Sequence, residues 1–222
     1  FRLCSSDLID GVVSWTQNTK LSINENLEPT QIGTAMAVSG TTLVVGAKLR
    51  DFNYGTVYVY ELVDGSWVES AKLYPEDRGS SGEGFGDSVA IHGNTLIVGA
   101  PKDTSQGSDA GAAYIFERKN ATSPWKQVSK LKANVKDELL GTSVSIYGSY
   151  AAVGAPGSDS TYLYSNQSGA WSKLAGTLTT AGTDFGAAVA IDQTHLVVGA
   201  PKQVLSGTGE VGAAHVYSIN GG

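Results

Sequence analysis

The sequence predicts an all-β fold, a β-propeller whose blades are sheets of four antiparallel strands each. Three observations predict it. A glycine opening one strand and a Gly-Ala ending the next recur thirteen residues apart: Gly33 with Gly46, Gly86 with Gly99, Gly141 with Gly154, Gly186 with Gly199. The opening glycines are spaced 53, 55 and 45 residues apart, near the period of about 40–50 residues of propeller blades and too long for leucine-rich or ankyrin units. No segment keeps a helical period beyond a turn or two, whereas short apolar runs bounded by turn residues fill the chain.

Each repeat justifies its strands in order. The first strand alternates apolar and polar residues, as in FGDSVAIH (85–92). The second, over Thr42–Ala47, Thr95–Ala100, Tyr150–Ala155 and His195–Ala200, is nearly continuously apolar, as a strand covered on both faces must be. The symmetry of the thirteen-residue spacing sets a two-residue turn between them on Ser39-Gly40, His92-Gly93, Tyr147-Gly148 and Asp192-Gln193. Glycine in second place supplies positive φ in three of the four. The third strand (55–62, 111–118, 160–165, 212–219) is rich in aromatic and β-branched residues, which suit a pleated surface. The fourth carries Trp15, Trp67, Trp125 or Trp171, followed by Lys20-Leu21, Lys72-Leu73 and Lys130-Leu131, but Lys173-Leu174 arrives early, so that blade is expected to be irregular at its outer edge. Small residues recurring in strands one and two suit a crowded axis, and the aromatics fill the wider outer gap.

These residues resemble the FG-GAP repeats, the blades of integrin α-subunit-like β-propellers. The resemblance rests on Phe85-Gly86, Gly99-Ala100-Pro101, Gly111–Tyr114 and Trp125 and spans roughly residues 15 to 222; Ile32 and Leu140 replace the Phe, and Lys48 the Pro. The whole chain, 1–222, reads as one propeller domain of units 15–66, 67–124, 125–170 and 171–222, counted from each Trp. The last unit lacks a Trp strand and the first Trp strand, Val12–Leu21, precedes any strand one. The N-terminal strand therefore completes the last blade in a ring of four, or the chain is part of the seven-bladed ring usual in this family.

The resemblance implies a non-enzymatic extracellular module for adhesion or protein interaction, working through variable loops. It also leaves a glycan-binding, lectin-like propeller and a propeller accessory to a larger enzyme as alternatives. Members of the family often hold calcium in the loop between strands one and two. Calcium needs six to eight converging oxygens, and only Asp192 among the four tight turns is acidic, so no calcium, other metal or cofactor is expected. The histidines His92, His195 and His215 fall in a turn, at a strand start and at a packed strand position, with no metal spacing, nucleophile elbow or phosphate loop.

A formal charge of −6 without a basic stripe argues against nucleic acid, and no apolar stretch approaches the roughly 20 residues of a membrane span. The start, FRLCSSDLIDG, has neither a Met nor a secretion-signal layout and reads as processed or excised. Cys4, the sole cysteine, is either paired with another chain or with a part of the protein beyond this sequence, or is a free thiol without consequence. Two glycosylation sequons, at Asn120 and Asn166, fall in the connection from strand three to the Trp strand and point to an extracellular or cell-surface glycoprotein.

From the Gly-Ala to the strand-three aromatic the connection varies, with 12 residues to Tyr58, 15 to Tyr114, 8 to Tyr162 and 16 to His215. These loops carry the candidate binding residues Arg50, Asp51, Lys102, Asp103, Asp109, Asp159, Lys202 and Glu210, with Phe52 and Tyr54 as aromatic anchors. The expected partner is another protein or a second copy of the chain, with glycan as the alternative. The contact with a neighbour is sought at Cys4 and the segment Phe1–Gly11.

Overall fold

The computed structural model describes residues 16–21, 31–50, 54–77, 83–204 and 209–219. Four antiparallel sheets follow one another, each a simple meander. The first joins β1 (Ile32–Ser39), β2 (Thr42–Ala47), β3 (Thr56–Val63) and β4 (Ser66–Leu73), and the second β5 (Ser88–His92), β6 (Thr95–Ala100), β7 (Ala112–Glu117) and β8 (Lys126–Lys132). The third has β9 (Ser143–Tyr147), β10 (Tyr150–Ala155) and β11 (Ser160–Ser165), whose outer edge is shared by two short strands, β12 (Ser172–Lys173) and β13 (Leu178–Thr179). The fourth holds β14 (Ala188–Ile191), β15 (His195–Ala200) and β16 (Ala213–Ser218). No helix among the described residues is long and apolar enough to cross a membrane.

The second strands span the residues expected of them, because a run buried on both faces has one reading. The broken outer edge of the third sheet follows from the early Lys173-Leu174, where Leu174 N–H bonds the Leu163 carbonyl at 2.8 Å. The hairpin turns lie one residue later than expected. The ladders close on Ser39 with Thr42, His92 with Thr95, and Tyr147 with Tyr150, so the loops are Gly40-Thr41, Gly93-Asn94 and Gly148-Ser149. Glycine is first rather than second, at φ +59°, +59° and +56°, and the residue after it is not at positive φ, as in a type II′ turn. The fourth turn has no glycine; Asp192 Oδ1 instead accepts from the backbone N–H groups of Thr194 and His195, both at 2.7 Å, a side chain doing locally what positive φ does elsewhere.

Each sheet packs a face on the sheet that follows it, so the two middle sheets are covered on both sides. Val44, Val57, Val59 and Leu73 of the first sheet meet Phe85, Val98, Tyr114 and Phe116 of the second. Ile97, Ala113, Ile115 and Leu131 of the second meet Leu140, Val153, Tyr162 and Tyr164 of the third, and Ala152 of the third meets Phe185, Leu196 and Val198 of the fourth. Phe85 stands edge-on to Tyr114 at 5.4 Å and Phe116 at 6.1 Å, a favoured aromatic geometry.

At the narrow side of each seam, glycine meets glycine. A Cβ on Gly46, Gly99 or Gly154 would overlap the carbonyl oxygen of Gly86, Gly141 or Gly186, the opening glycine of the next sheet. These carbonyls turn toward the preceding sheet because the opening glycines sit at φ of +90° to +95°, a region closed to most side chains. Ser88 and Ser143 donate their hydroxyls to the Gly141 and Gly186 carbonyls at 2.7 Å each. Toward the turns, Gly93 N–H donates to Ser39 Oγ and Gly148 N–H to His92 Nδ1.

Of the two expected arrangements, a ring of four and part of a larger ring, the described residues do not close the smaller one. β1 lies against β5, β5 against β9 and β9 against β14, but β14 has no comparable contact with β1. Of the expected N-terminal strand, Val12–Trp15 lies outside the described residues, and Thr16–Leu21 is not a strand. Leu21 packs on Val45, Ala47, Tyr58 and Tyr60 of the first sheet, so the fourth sheet keeps three strands among the described residues.

Candidate functional site

The connections from the second to the third strand and from each sheet to the next meet at one end of the stack. One backbone bond repeats there: Lys102 N–H to the Glu83 carbonyl, Gly157 to Glu138 and Lys202 to Thr183, at 3.0–3.1 Å. Between the second and third sheets the interlock is extended by bonds from Asp137 N–H to Ser108, Leu139 to Asp109 and Leu140 to Ala110. The side chains of Glu83, Glu138 and Thr183 are buried. Glu138 accepts from the backbone of Asn134 and Val135 and from the Tyr162 hydroxyl, and Glu83 from Thr104. Sequence reasoning missed these anchors; the available signal was a polar residue two places before each opening Phe-Gly or Leu-Gly.

Asp103, a candidate recognition residue, is 1 % exposed. It accepts from Tyr114 OH at 2.6 Å and the Ser105 backbone at 2.9 Å and pairs with Lys130 Nζ at 2.7 Å; Lys130 also pairs with Asp77 at 2.7 Å. Burial pushes the Asp103 carboxyl up, but hydrogen bonds from Lys130, Ser105 and Tyr114 outweigh it and hold the group below the usual carboxylate range. Burial, reinforced by Asp103, pushes the Tyr114 hydroxyl well above its ordinary value. Asp103 thus fastens its loop to the sheet instead of projecting from it. Asp159 also acts inward, capping the backbone N–H groups of Gly182 at 2.6 Å and Thr183 at 3.0 Å.

The outward charge on this face is carried by other residues. Lys102 is exposed and forms no ion pair among the described residues, and Asp109 is half-buried in a left-handed conformation, φ +47°. Lys202 and Glu210 are exposed, and Lys202 pairs with Asp184 at 2.8 Å. Lys48 reaches from the first sheet to Asp87 of the second at 2.6 Å. Arg50 and Tyr54 are half-buried at the base of their loop, while Asp51 and Phe52 lie outside the described residues, as do Cys4 and Phe1–Gly11. Among the described residues, no group of three or more His, Cys, Asp or Glu is arranged to hold a metal ion.

The two sequons differ. Asn120 is exposed; its Oδ1 accepts from Thr122 N–H, Thr122 Oγ1 and Ser123 Oγ at 2.9–3.1 Å, which leaves the amide nitrogen facing solvent. Asn166 is half-buried and donates that nitrogen to Glu117 Oε1 at 3.2 Å, beside a 2.8 Å bond from Trp171 Nε1 to the same oxygen. One seam earlier the equivalent positions hold Arg118 and Glu61, bonded at 2.6 Å under the Trp125 ring. Asn166 is thus part of a repeated clasp between adjoining sheets.

The FG-GAP repeat family matches the chain over residues 15–60, 67–116 and 171–217, more than half its length. Within the stretch between, β9, β10 and β11 form the third sheet in the same order, with Leu140 in place of the Phe and a connection of only Pro156–Asp159. A search among curated proteins returned no match.

Proposed function

This chain belongs to the FG-GAP repeat family, and we propose that its sheets are blades of a propeller acting as a non-enzymatic extracellular interaction module, with a protein as its partner. FG-GAP repeats occur in integrin-like adhesion and interaction propellers. One observation carries the reading: the hairpins keep one thirteen-residue spacing of their glycines, while the loops at one end differ in length and in outward charge. A rigid, repeated frame presenting unlike loops is how recognition surfaces are commonly built. Asp103, Glu83 and Glu138 hold the loop bases beside Lys102 and Asp109, and the backbone bond from Lys202 to Thr183 holds Lys202, so these charges are presented from a preformed surface, which lowers the ordering cost of binding. The exposed sequon at Asn120 supports a secretory route.

The test is a double variant, Lys102→Glu with Lys202→Glu, immobilised beside the wild-type chain and exposed to proteins released from the surface of the source cells. Retention by the wild type that is lost in the variant, at an unchanged melting temperature, is the expected result. Equal retention by both would move recognition away from this face.

A further inference from the structure

The loop between β7 and β8 has two roles on the outer rim of the second sheet. It carries Asn120, whose Oδ1 is pinned by Thr122 and Ser123, so the amide nitrogen is the end left to solvent. It also walls a cavity of about 220 Å³ between the outer strands of the first two sheets, which Ala121, Pro124 and Trp125 line together with Ala71 and Leu73 of β4.

Trp125 borders that cavity with an unanswered donor. Its Nε1 is buried and has no hydrogen-bond partner among the described residues, a state that folded proteins rarely leave uncompensated. The next seam shows what is missing, for there Trp171 Nε1 donates to Glu117 Oε1 at 2.8 Å. The counterpart of Glu117 is Glu61, but Arg118 holds its Oε1 at 2.6 Å and Thr42 its Oε2 at 3.0 Å. Arg118 also lies over the Trp125 ring, 4.6 Å from its centroid. Arg118, standing where the next seam has Asn166, thus takes the carboxylate away from the indole and leaves room for an acceptor from outside the fold.

We propose that the first N-acetylglucosamine of a glycan on Asn120 folds back into this cavity, gives its acetamide carbonyl to Trp125 Nε1 and lays its apolar ring face on Pro124, Ala71 and Leu73, stapling β8 to β4. The proposal rests on the secretory part of the reading above and deepens it, since the sugar becomes a structural part of the outer seam. The attachment is the oligosaccharyl transfer of a secretory host: Asn120 Nδ2 bonds to C1 of the sugar and loses one proton, and the lipid diphosphate leaves.

Ser168→Ala removes the second sequon without touching Asn166 and provides the background for the test. In that background three forms of the full chain are melted: secreted with high-mannose glycan, trimmed by an endoglycosidase that leaves one N-acetylglucosamine, and made without glycan in a bacterial host. The first two are expected to melt together and the third about 2–4 °C lower, the shift that roughly one hydrogen bond gives a chain of this size. Trp125→Phe keeps a ring and loses the N–H, and should erase the difference. If Trp125→Phe fails to fold, the indole N–H signals of the trimmed and unmodified forms are compared, and one of the four is expected to shift and to exchange more slowly with solvent. Asn120 found unmodified, a trimmed form that melts with the unmodified chain, a difference that survives Trp125→Phe, or unchanged indole signals would overturn the proposal. The first of these also removes the support that Asn120 gives to a secretory route; the others leave that route, and the partner retention measured at the loop end, as they were.

Discussion

The second and fourth sheets are written in nearly the same residues and live in different surroundings. FGDSVAIHGNTLIVGAP and FGAAVAIDQTHLVVGAP begin at Phe85 and Phe185, and each places its Phe fully buried against the sheet before it. The second sheet is covered on both faces. The fourth is covered on one, and its other face opens through Ala188, Ala190, Ala214 and Val216. The polar fastenings differ in step: Tyr114, Asp103 and Lys130 form a charged latch under the loop of the second sheet, where the fourth has His215 and Gln203. His215 stacks edge-on against Phe185 at 5.2 Å, but its Nε2 and the Gln203 Oε1 are buried without hydrogen bonds. A hairpin sequence therefore specifies a strand pair, while the neighbouring sheet decides how firmly that pair is held.

The largest expected effect breaks the latch of the covered sheet. Asp103→Ala leaves Lys130 and Tyr114 without their buried partner and should cost about 3–5 kcal/mol; Gln203→Ala at the equivalent position should change stability by less than about 0.5 kcal/mol. Denaturant melts of the two variants provide the measurement, and equal losses would dissolve the contrast.

The same latch gives stability two pH limits. The Asp103 carboxyl is held below its usual range, so the unfolded chain binds more protons in acid; the contribution is present above about pH 4 and lost as pH falls through the folded-state value. Tyr114 is raised, so the folded chain keeps a proton the unfolded chain gives up; that contribution is present below about pH 10 and lost as pH climbs. Melting temperature should fall at both limits, and Asp103→Asn should flatten the acid one.

Smaller effects separate the two sequons. Asn166→Ala removes a bond across the second seam and should cost about 1 kcal/mol, whereas in the chain made without glycan Asn120→Ala removes only exposed bonds within its own loop and should cost less than about 0.5 kcal/mol. When the chain is passed through a secretory host, Asn120→Gln should remove a glycan that peptide mass mapping detects in the wild type. Smallest of all, calcium or a chelator should leave the melting temperature unmoved, since the tight turns offer no converging carboxylates; a rise of many degrees with millimolar calcium would reveal a site.

Much of the scaffold was legible because the signals were local and repeated. Strands of the Thr95–Ala100 kind, apolar on both faces, admit one reading, and the early Lys173-Leu174 marked the broken edge in advance. The turn was misplaced by one residue because the thirteen-residue spacing fits glycine at either loop position, and only the ladder from His92 to Thr95 chooses. Asp103 read as a surface group because nothing local reveals that Lys130, from the outer strand, comes to meet it. The size of the ring was illegible for the same reason: whether a face is covered depends on a sheet distant in sequence.

Native-state hydrogen exchange tests the contrast most directly. The amides of β6 and β10, between covered faces, should exchange only through global unfolding, while those of β15 and β16 should open at distinctly lower free energy. Uniform protection across all four sheets would contradict the account, because the end sheet would then be held as firmly as those with a neighbour on either side.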